Sequence, residues 1–324
     1  MRNVLVTGAS GFIGRHVVRA ALSKPSVRIR VAARGGDAGT PGDGRTETVR
    51  ADLADPVSLR GLCEGIDAVV HCASRVGGDE HTLHAVNDTG TRALVDEALR
   101  HKVRRIVYVS TAAVYGRGPF RDADTGGLPL RPGSATSATR ALAERHVLAA
   151  GGTVLRPHLV YGTGDRWVIP ALAGLLRLVG AGVRCPSLHS AVDAAALAEA
   201  TVAAACREQR TAGVFHVNHP RPVPASTLIT LVLEQLGLPE KPPLPAERAR
   251  ARISGSPQAL HHLDMLTADH WFRSDHVWQT LRCDPGPAPG DGIADHMPWY
   301  RHALRHNPDT QHTRPRPETV APQP

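Results

Sequence analysis

Lysine is almost missing from this 324-residue chain, confined to Lys24, Lys102 and Lys241, so the formal charge of +8 rests on arginine. Aromatic residues make up only 4% of the sequence, and the arginines are spread along the chain without an aromatic-interleaved basic stripe. That pattern argues against nucleic-acid binding. The five cysteines, Cys63, Cys72, Cys185, Cys206 and Cys283, are odd in number and lack CxxC spacing. They predict neither a disulfide framework nor a zinc site, and a reducing, cytoplasmic compartment with no metal. No charged leader with a cleavage site precedes the first apolar run, Met1 to Val6, so secretion is not expected. No membrane span is expected either: the most apolar stretch, Trp167 to Val183, carries Pro170 and Arg177 and reads as a buried helix.

What remains is an ordinary globular composition, 42% apolar and 21% charged, long enough for one large α/β domain with a smaller lobe. Residues 3 to 7 form an apolar strand, glycines break it, and Val17, Val18, Ala21 and Leu22 follow at helical spacing. Pro25 ends that helix, and Val27, Ile29, Val31 and Ala33 alternate as a second strand. The pattern predicts a short helix at 58–64, a strand at 67–73, a long helix at 83–99, a strand at 105–111, a helix at 136–149 and a strand at 153–160. Alternation of this kind implies a doubly wound parallel sheet of the Rossmann type with helices on both faces. A helix at 192–205 and a strand at 213–217 are expected to rejoin the sheet. Residues 1–162 together with 191–221 would then form the dinucleotide-binding domain. Segments 163–190 and 222–303 would form the smaller, interleaved substrate lobe. The proline-rich tail 307–324 is expected to be disordered.

The run Thr7-Gly8-Ala9-Ser10-Gly11-Phe12-Ile13-Gly14 places three glycines three apart between a strand and a helix. Glycines are needed there for a tight turn, for backbone approach to a pyrophosphate and for helix-strand packing, while the helix N-terminus offers free N–H donors. Gly8, Ser10, Gly11, Phe12, Ile13 and Gly14 are therefore candidate cofactor contacts. At the end of the second strand, where a carboxylate would select NAD, the chain has Arg34, whose planar fork suits a 2′-phosphate. NADP(H) is the predicted cofactor, with Arg15 as a second candidate for the phosphate.

With these residues in place, the chain resembles the extended short-chain dehydrogenases/reductases, which include nucleotide-sugar epimerases. The resemblance runs over nearly the whole folded chain. It covers Thr7 to Gly14, Ala51-Asp52-Leu53, His71-Cys72-Ala73-Ser74, Asn87 with Gly90-Thr91, Ser110 to Gly116, Leu155-Arg156-Pro157-His158, Val160-Tyr161-Gly162, Val192-Asp193 and Trp299-Tyr300. It implies that Asp52 and Leu53 face the adenine, and that Cys72, Ala73, Ser74, Pro157 and His158 lie beside the cofactor. It also implies a catalytic Ser or Thr in the Ser110-Thr111 segment, with Tyr and Lys four apart on the next helix.

That dyad is absent. Counting back from Glu144 puts Thr136 where the tyrosine belongs and Arg140 where the lysine belongs; the only tyrosines are Tyr108, Tyr115, Tyr161 and Tyr300, none with lysine four residues on. Hydride delivery to a ketone builds charge on oxygen that a phenol would protonate, whereas an aliphatic hydroxyl is a far weaker acid and a guanidinium essentially never releases its proton. Losing a positioned general acid removes about 10²–10⁴-fold in rate. The expected solution is substrate assistance: an aromatic ketone whose own neighbouring phenol delivers the proton, with Thr111 or Ser110 donating to the oxygen and Arg140 holding the nicotinamide ribose. His158, Tyr115 and Tyr161 are rival donors.

In these traits the chain is similar to the tyrosine-lacking ketoreductases of angucyclinone polyketide pathways, the simocyclinone one among them. The resemblance implies an NADPH-dependent reductase of an aromatic polyketide ketone in antibiotic biosynthesis. Two other readings stay open: a non-catalytic NADP(H)-binding redox sensor, and a nucleotide-sugar epimerase or dehydratase. Monomer and homodimer both remain open as well.

Overall fold

A computed structural model describes residues 1–35, 44–237 and 241–306. The expected disordered tail, 307–324, lies outside the described residues.

Valine-rich runs build β1 (Arg2–Thr7), β2 (Val27–Ala33), β4 (Ala68–His71) and β5 (Ile106–Val109), while β3 (Thr46–Arg50) is a polar strand. β-branched side chains pack well on a pleated surface, which favours strand in these segments. Together with strands Thr153–Arg156 and Gly213–His216 they form a seven-stranded parallel sheet. Its order is Gly213–His216, Thr153–Arg156, β5, β4, β1, β2, β3. The late strand expected to rejoin the sheet does so, pairing in parallel with Thr153–Arg156. The order reverses between β1 and β4, so the loops leaving those two strands border the crevice where such sheets bind ligands.

Both faces are covered. On one, α1 (Phe12–Leu22) buries Val17, Val18 and Ala21 against helix Ala194–Cys206, whose alanines allow close approach. On the other, helices Gly90–Arg100 and Ala135–Ala149 bury Leu94, Val95, Ala143 and Val147 against Leu5, Val69 and Val154. Ser134 and Ser137 cap the latter helix reciprocally, and Asp193 caps helix Ala194–Cys206.

A second apolar core joins helices Ile169–Val179, Ala225–Leu236, Pro257–Thr267 and Pro289–His306. Beside it, a four-stranded sheet runs Val223–Pro224, Leu188–His189, His270–Phe272, Phe120–Ala123. The last of these strands comes from the first half of the chain, so the two halves interlock through it.

Four local features depart from the sequence reading. The helix expected at 58–64 is a single 3₁₀ turn, Pro56–Leu59, because Gly61 and Gly65 adopt positive φ and break it. The long helix starts at Glu80 and passes through a π-helical segment, His84–Thr89. The strand expected at 153–160 divides at Pro157, which has no N–H for a ladder: Thr153–Arg156 stays in the large sheet, and Leu159–Tyr161 pairs with Ala191–Asp193. Strands β3 and Phe120–Ala123 were not foreseen, both being short and largely polar or exposed.

Candidate functional site

The glycine turn is shaped for backbone contact. Gly8 has φ +73°, and a Cβ there would lie 2.6 Å from the Ala73 nitrogen; one on Gly14 would lie 2.0 Å from the Gly8 oxygen. These two glycines therefore serve the close packing of β1, α1 and the loop after β4. Gly11 caps α1 with no side chain, donating its own N–H to the Gly8 carbonyl, and no acidic residue occupies the first turn. The N–H groups that begin α1 are thus left for an anion. Ser10 and Gly11 are exposed at this turn, while Phe12 and Ile13 pack partly against the core.

The opposite wall is the loop after β4. His71 is buried and bridges Thr7 Oγ1 (2.6 Å) and Thr91 Oγ1 (3.0 Å), which ties β1, β4 and helix Gly90–Arg100 together. Burial first, then Arg140, pushes its imidazole down to about 3, so it stays neutral. Burial pushes the Cys72 thiol up to about 12, which leaves it unreactive. Next to it, Ala73 packs against Gly8, and Ser74 donates to the Asn87 amide oxygen. That amide also takes the Arg75 N–H and donates to the Arg75 carbonyl and to Thr139, so Asn87 clasps the loop. Of the residues expected to face the adenine, Asp52 accepts from the Ala54 N–H, and the Leu53 carbonyl lies 2.4 Å from where a Cβ on Gly90 would be. Arg34 is exposed one residue beyond β2, level with Ala51, whose N–H bonds to the Ala33 carbonyl. Arg15 donates to the Ser10 carbonyl.

The residues expected to carry the reaction follow β5 or lie on helix Ala135–Ala149. Thr136, in the tyrosine position, accepts from the Gly77 N–H at 3.2 Å. Arg140, in the lysine position, donates to the Val109 carbonyl at 2.8 Å and lies 5.9 Å from the Tyr108 ring centroid. Its Nε is buried with no partner among the described residues. An orphaned buried donor of this kind needs an acceptor, and a cofactor ribose hydroxyl would supply one.

Ser110 and Thr111 separate sharply. Ser110 is 2% exposed and donates to Glu144, which is also held by Arg156 through Nε (2.9 Å) and Nη2. Arg156 Nη1 reaches the Tyr115 hydroxyl at 2.6 Å, and that hydroxyl meets His216 Nε2 at 2.7 Å. Ser110 thus belongs to a buried network. Thr111 is half-buried, and its Oγ1 accepts from the Ala113 N–H at 3.1 Å, which leaves its own proton free to donate. The neighbouring Ala112 N–H bonds to the Pro157 carbonyl, so Thr111 and Pro157 are held side by side.

All four tyrosines are buried, Tyr108 among them although it lies on β5 beside Arg140. Tyr108, Tyr115, Tyr161 and Tyr300 are 1%, 2%, 1% and 0% exposed. Burial pushes the acidity of each phenol further from neutrality. Tyr300 is engaged by Asp165 and the Gly162 N–H, and Tyr115 by Arg156 and His216. His158 is pushed well below 6.5 by burial and by His270, His189 and His216, so at neutral pH it carries no imidazolium proton to give.

A cavity of about 170 Å³ opens beside His158, walled by Trp167, Leu172, Leu228 and Met265, with His189 and His262 at its edge. No arginine or lysine lines it. A larger hollow, about 320 Å³, lies between Arg28 and Glu64 near the amino-terminal ends of β1 and β2, away from the glycine turn. Sequence reasoning missed the Glu144–Arg156–Tyr115–His216 network and the His71 bridge, because each joins residues far apart in the chain that no local spacing connects.

Residues 4–185 match the family described as the NAD dependent epimerase/dehydratase family. The chain is 28% identical over 305 residues to a 2-alkyl-3-oxoalkanoate reductase of Stenotrophomonas maltophilia, covering 83% of this chain and 90% of that one. It is 29% identical to the 4-hydroxy-2-methyl-3-oxo-4-farnesyl-3,4-dihydroquinoline-1-oxide ketoreductase of Stigmatella aurantiaca, over 78% of this chain and 79% of that one. Among solved structures, the Bordetella bronchiseptica enzyme WbmH in complex with NAD+ superimposes with a TM-score of 0.74 at 21% identity, over 94% of this chain and 99% of that one. No described helix is long and apolar enough to cross a membrane.

Proposed function

Because this chain belongs to the NAD dependent epimerase/dehydratase family, we propose that it is an NADPH-dependent ketoreductase whose aromatic ketone substrate supplies its own proton. The observation that carries this reading is a dinucleotide cradle kept whole beside a reaction side where Thr111 offers a hydroxyl and every tyrosine is buried. Two curated relatives bear ketone-reductase names, which favours reduction over epimerisation.

The residues fit the cofactor. The N-terminus of α1 would take the pyrophosphate, Arg34 the 2′-phosphate, and the orphaned Arg140 Nε a hydroxyl of the nicotinamide ribose. NADPH supplies the hydride when bound there. On the protein side, Thr111 donates to the ketone oxygen as charge builds, an interaction worth about 2.7–4 kcal/mol at an oxyanion. Protonation of that oxygen comes from a phenol on the same ring system, and the resulting phenolate recovers its proton from water. A proton placed intramolecularly replaces the missing acid because effective molarities of about 10⁵ M and above are reached in well-oriented cases.

The apolar cavity beside His158 suits one end of a flat hydrophobic ketone, its volume being below the roughly 300 Å³ of a full ligand site. A nucleotide sugar would bring a diphosphate, and no arginine or lysine lines the cavity to pair with it. These features favour an apolar ketone over a nucleotide sugar, and an aromatic polyketide of the angucyclinone type is the substrate we infer.

The test is loss of NADPH absorbance on mixing the protein with an angucyclinone that carries a hydroxyl beside its ketone. Turnover supports the proposal. Tight NADPH binding without turnover of any such ketone would instead favour a redox sensor, and tight binding of uridine or thymidine diphosphate would revive the epimerase reading.

A further inference from the structure

Three imidazoles from distant parts of the chain meet where the small sheet borders the cavity. His158 follows the strand Thr153–Arg156, His189 ends the strand Leu188–His189, and His270 begins the strand His270–Phe272. Their ring centroids lie 5.4, 6.0 and 6.1 Å apart, and one nitrogen from each lies within 4.8 Å of the other two. We propose that His158, His189 and His270 form a binding site for a divalent transition ion of the zinc class.

The hydrogen bonds fix the ring states this requires. His270 Nδ1 faces the Ala268 carbonyl at 2.9 Å, and His189 Nε2 faces the Leu266 carbonyl at 3.1 Å. A carbonyl only accepts, so those nitrogens carry the protons, which leaves a lone pair on His270 Nε2 and on His189 Nδ1. Backbone carbonyls commonly orient metal-binding histidines in this way. The His270 Nε2 lone pair now takes the Gly118 N–H at 3.2 Å, a contact that an ion would replace. Among the described residues no hydrogen bond holds the ring of His158, and it contacts Phe272.

The three ring planes lie within 10° of one another, so binding an ion at tetrahedral angles would require the rings to tilt as well as to close in. Three imidazoles bound at about 2.0–2.1 Å with tetrahedral angles would set their ring centroids roughly 5–5.6 Å apart and their ligand nitrogens about 3.4 Å apart. The observed centroid spacings of 5.4 to 6.1 Å would have to contract by up to about 1 Å to reach that range. Asp269 stands near His189 and His270 and adds negative charge, although Arg121 pairs with it. His158 and His189 both line the cavity, so the fourth coordination position would open into it. Three histidines with an open position form the kind of site that takes water or an anionic oxygen of a ligand. Metal binding can be measured without NADPH or substrate, although the ion would face the same cavity that is proposed to receive the ketone.

The test is a titration of the full chain, purified without a histidine tag, with cobalt(II). The expected result is one equivalent bound, with the visible bands of a four- or five-coordinate ion, lost on adding zinc. His158→Gln and His270→Gln should each weaken binding by at least about tenfold, with the far-ultraviolet circular dichroism of His158→Gln unchanged. His158→Gln keeps the test decisive even if the buried His270 variant fails to fold. Absence of the cobalt bands in the wild-type chain, or their persistence at full strength in His158→Gln, would overturn the proposal.

Discussion

Replacing Thr111 and Ser110 one at a time should separate a hydroxyl that meets the substrate from one that holds the fold. In Thr111→Val the branched shape is kept and the free O–H is lost. At about 2.7–4 kcal/mol for a donor at a developing oxyanion, kcat should fall by about 10²–10³ with KM nearly unchanged. Thr111 Oγ1 also caps the turn Ala112–Tyr115 through the Ala113 N–H, so stability should drop by about 1 kcal/mol. Thr111→Ser keeps both functions and should retain activity within a few-fold. Ser110→Ala removes a buried bond to Glu144 while Arg156 still grips both carboxylate oxygens. Its cost should appear as about 1.5–3 kcal/mol of stability, with kcat of the folded fraction reduced much less than in Thr111→Val. The assay is NADPH consumption with a hydroxy-ketone, paired with thermal unfolding of each variant. Equal kcat for Thr111→Val and wild type, or a hundredfold loss in a fully stable Ser110→Ala, would refute the division of roles.

Arg34→Ser should lower the preference for NADPH over NADH by about 10-fold to 150-fold, the worth of a charge-assisted bond at 1.5–3 kcal/mol, read as the ratio of kcat/KM for the two cofactors; an unchanged ratio would remove Arg34 from the phosphate site. Acid should destabilise the fold through its buried imidazoles. His71 and His216 are pushed to about 3 and about 4, in each case by burial first, below the 6.5 of an exposed histidine. The unfolded chain therefore binds more protons between pH 6.5 and 4, so this stability is full above pH 6.5 and is lost as pH falls. Each such group steepens the fall by up to about 1.4 kcal/mol per pH unit. Urea midpoints that stay constant from pH 7 to 4.5 would contradict it.

The strand, glycine turn and helix at the amino terminus were legible because they are local: alternation in β1 and β2 and the spacing of Gly8, Gly11 and Gly14 encode them within about a dozen residues. The empty tyrosine position was legible for the same reason, since Thr136 and Arg140 lie at fixed distances from Glu144 on one helix. What stayed hidden depends on tertiary contact. Nothing in the sequence distinguishes Ser110 from Thr111; burial against Glu144 does. Nothing local joins His158, His189 and His270, which lie on separate segments and show no ligand spacing. Even the break at Pro157, readable from its missing N–H, gave no sign that the next strand would leave the large sheet for Ala191–Asp193.

The central claim is that the reacting proton belongs to the substrate. Its most direct measurement compares kcat/KM with NADPH for an aromatic ketone bearing the adjacent free hydroxyl and for the same ketone with that oxygen methylated. Since the tyrosines are sealed and His158 is neutral, the methylated compound should be reduced about 10²–10⁴-fold more slowly while still binding in competition with the parent. Equal rates for the two would mean that a group of the protein donates the proton, contrary to this account.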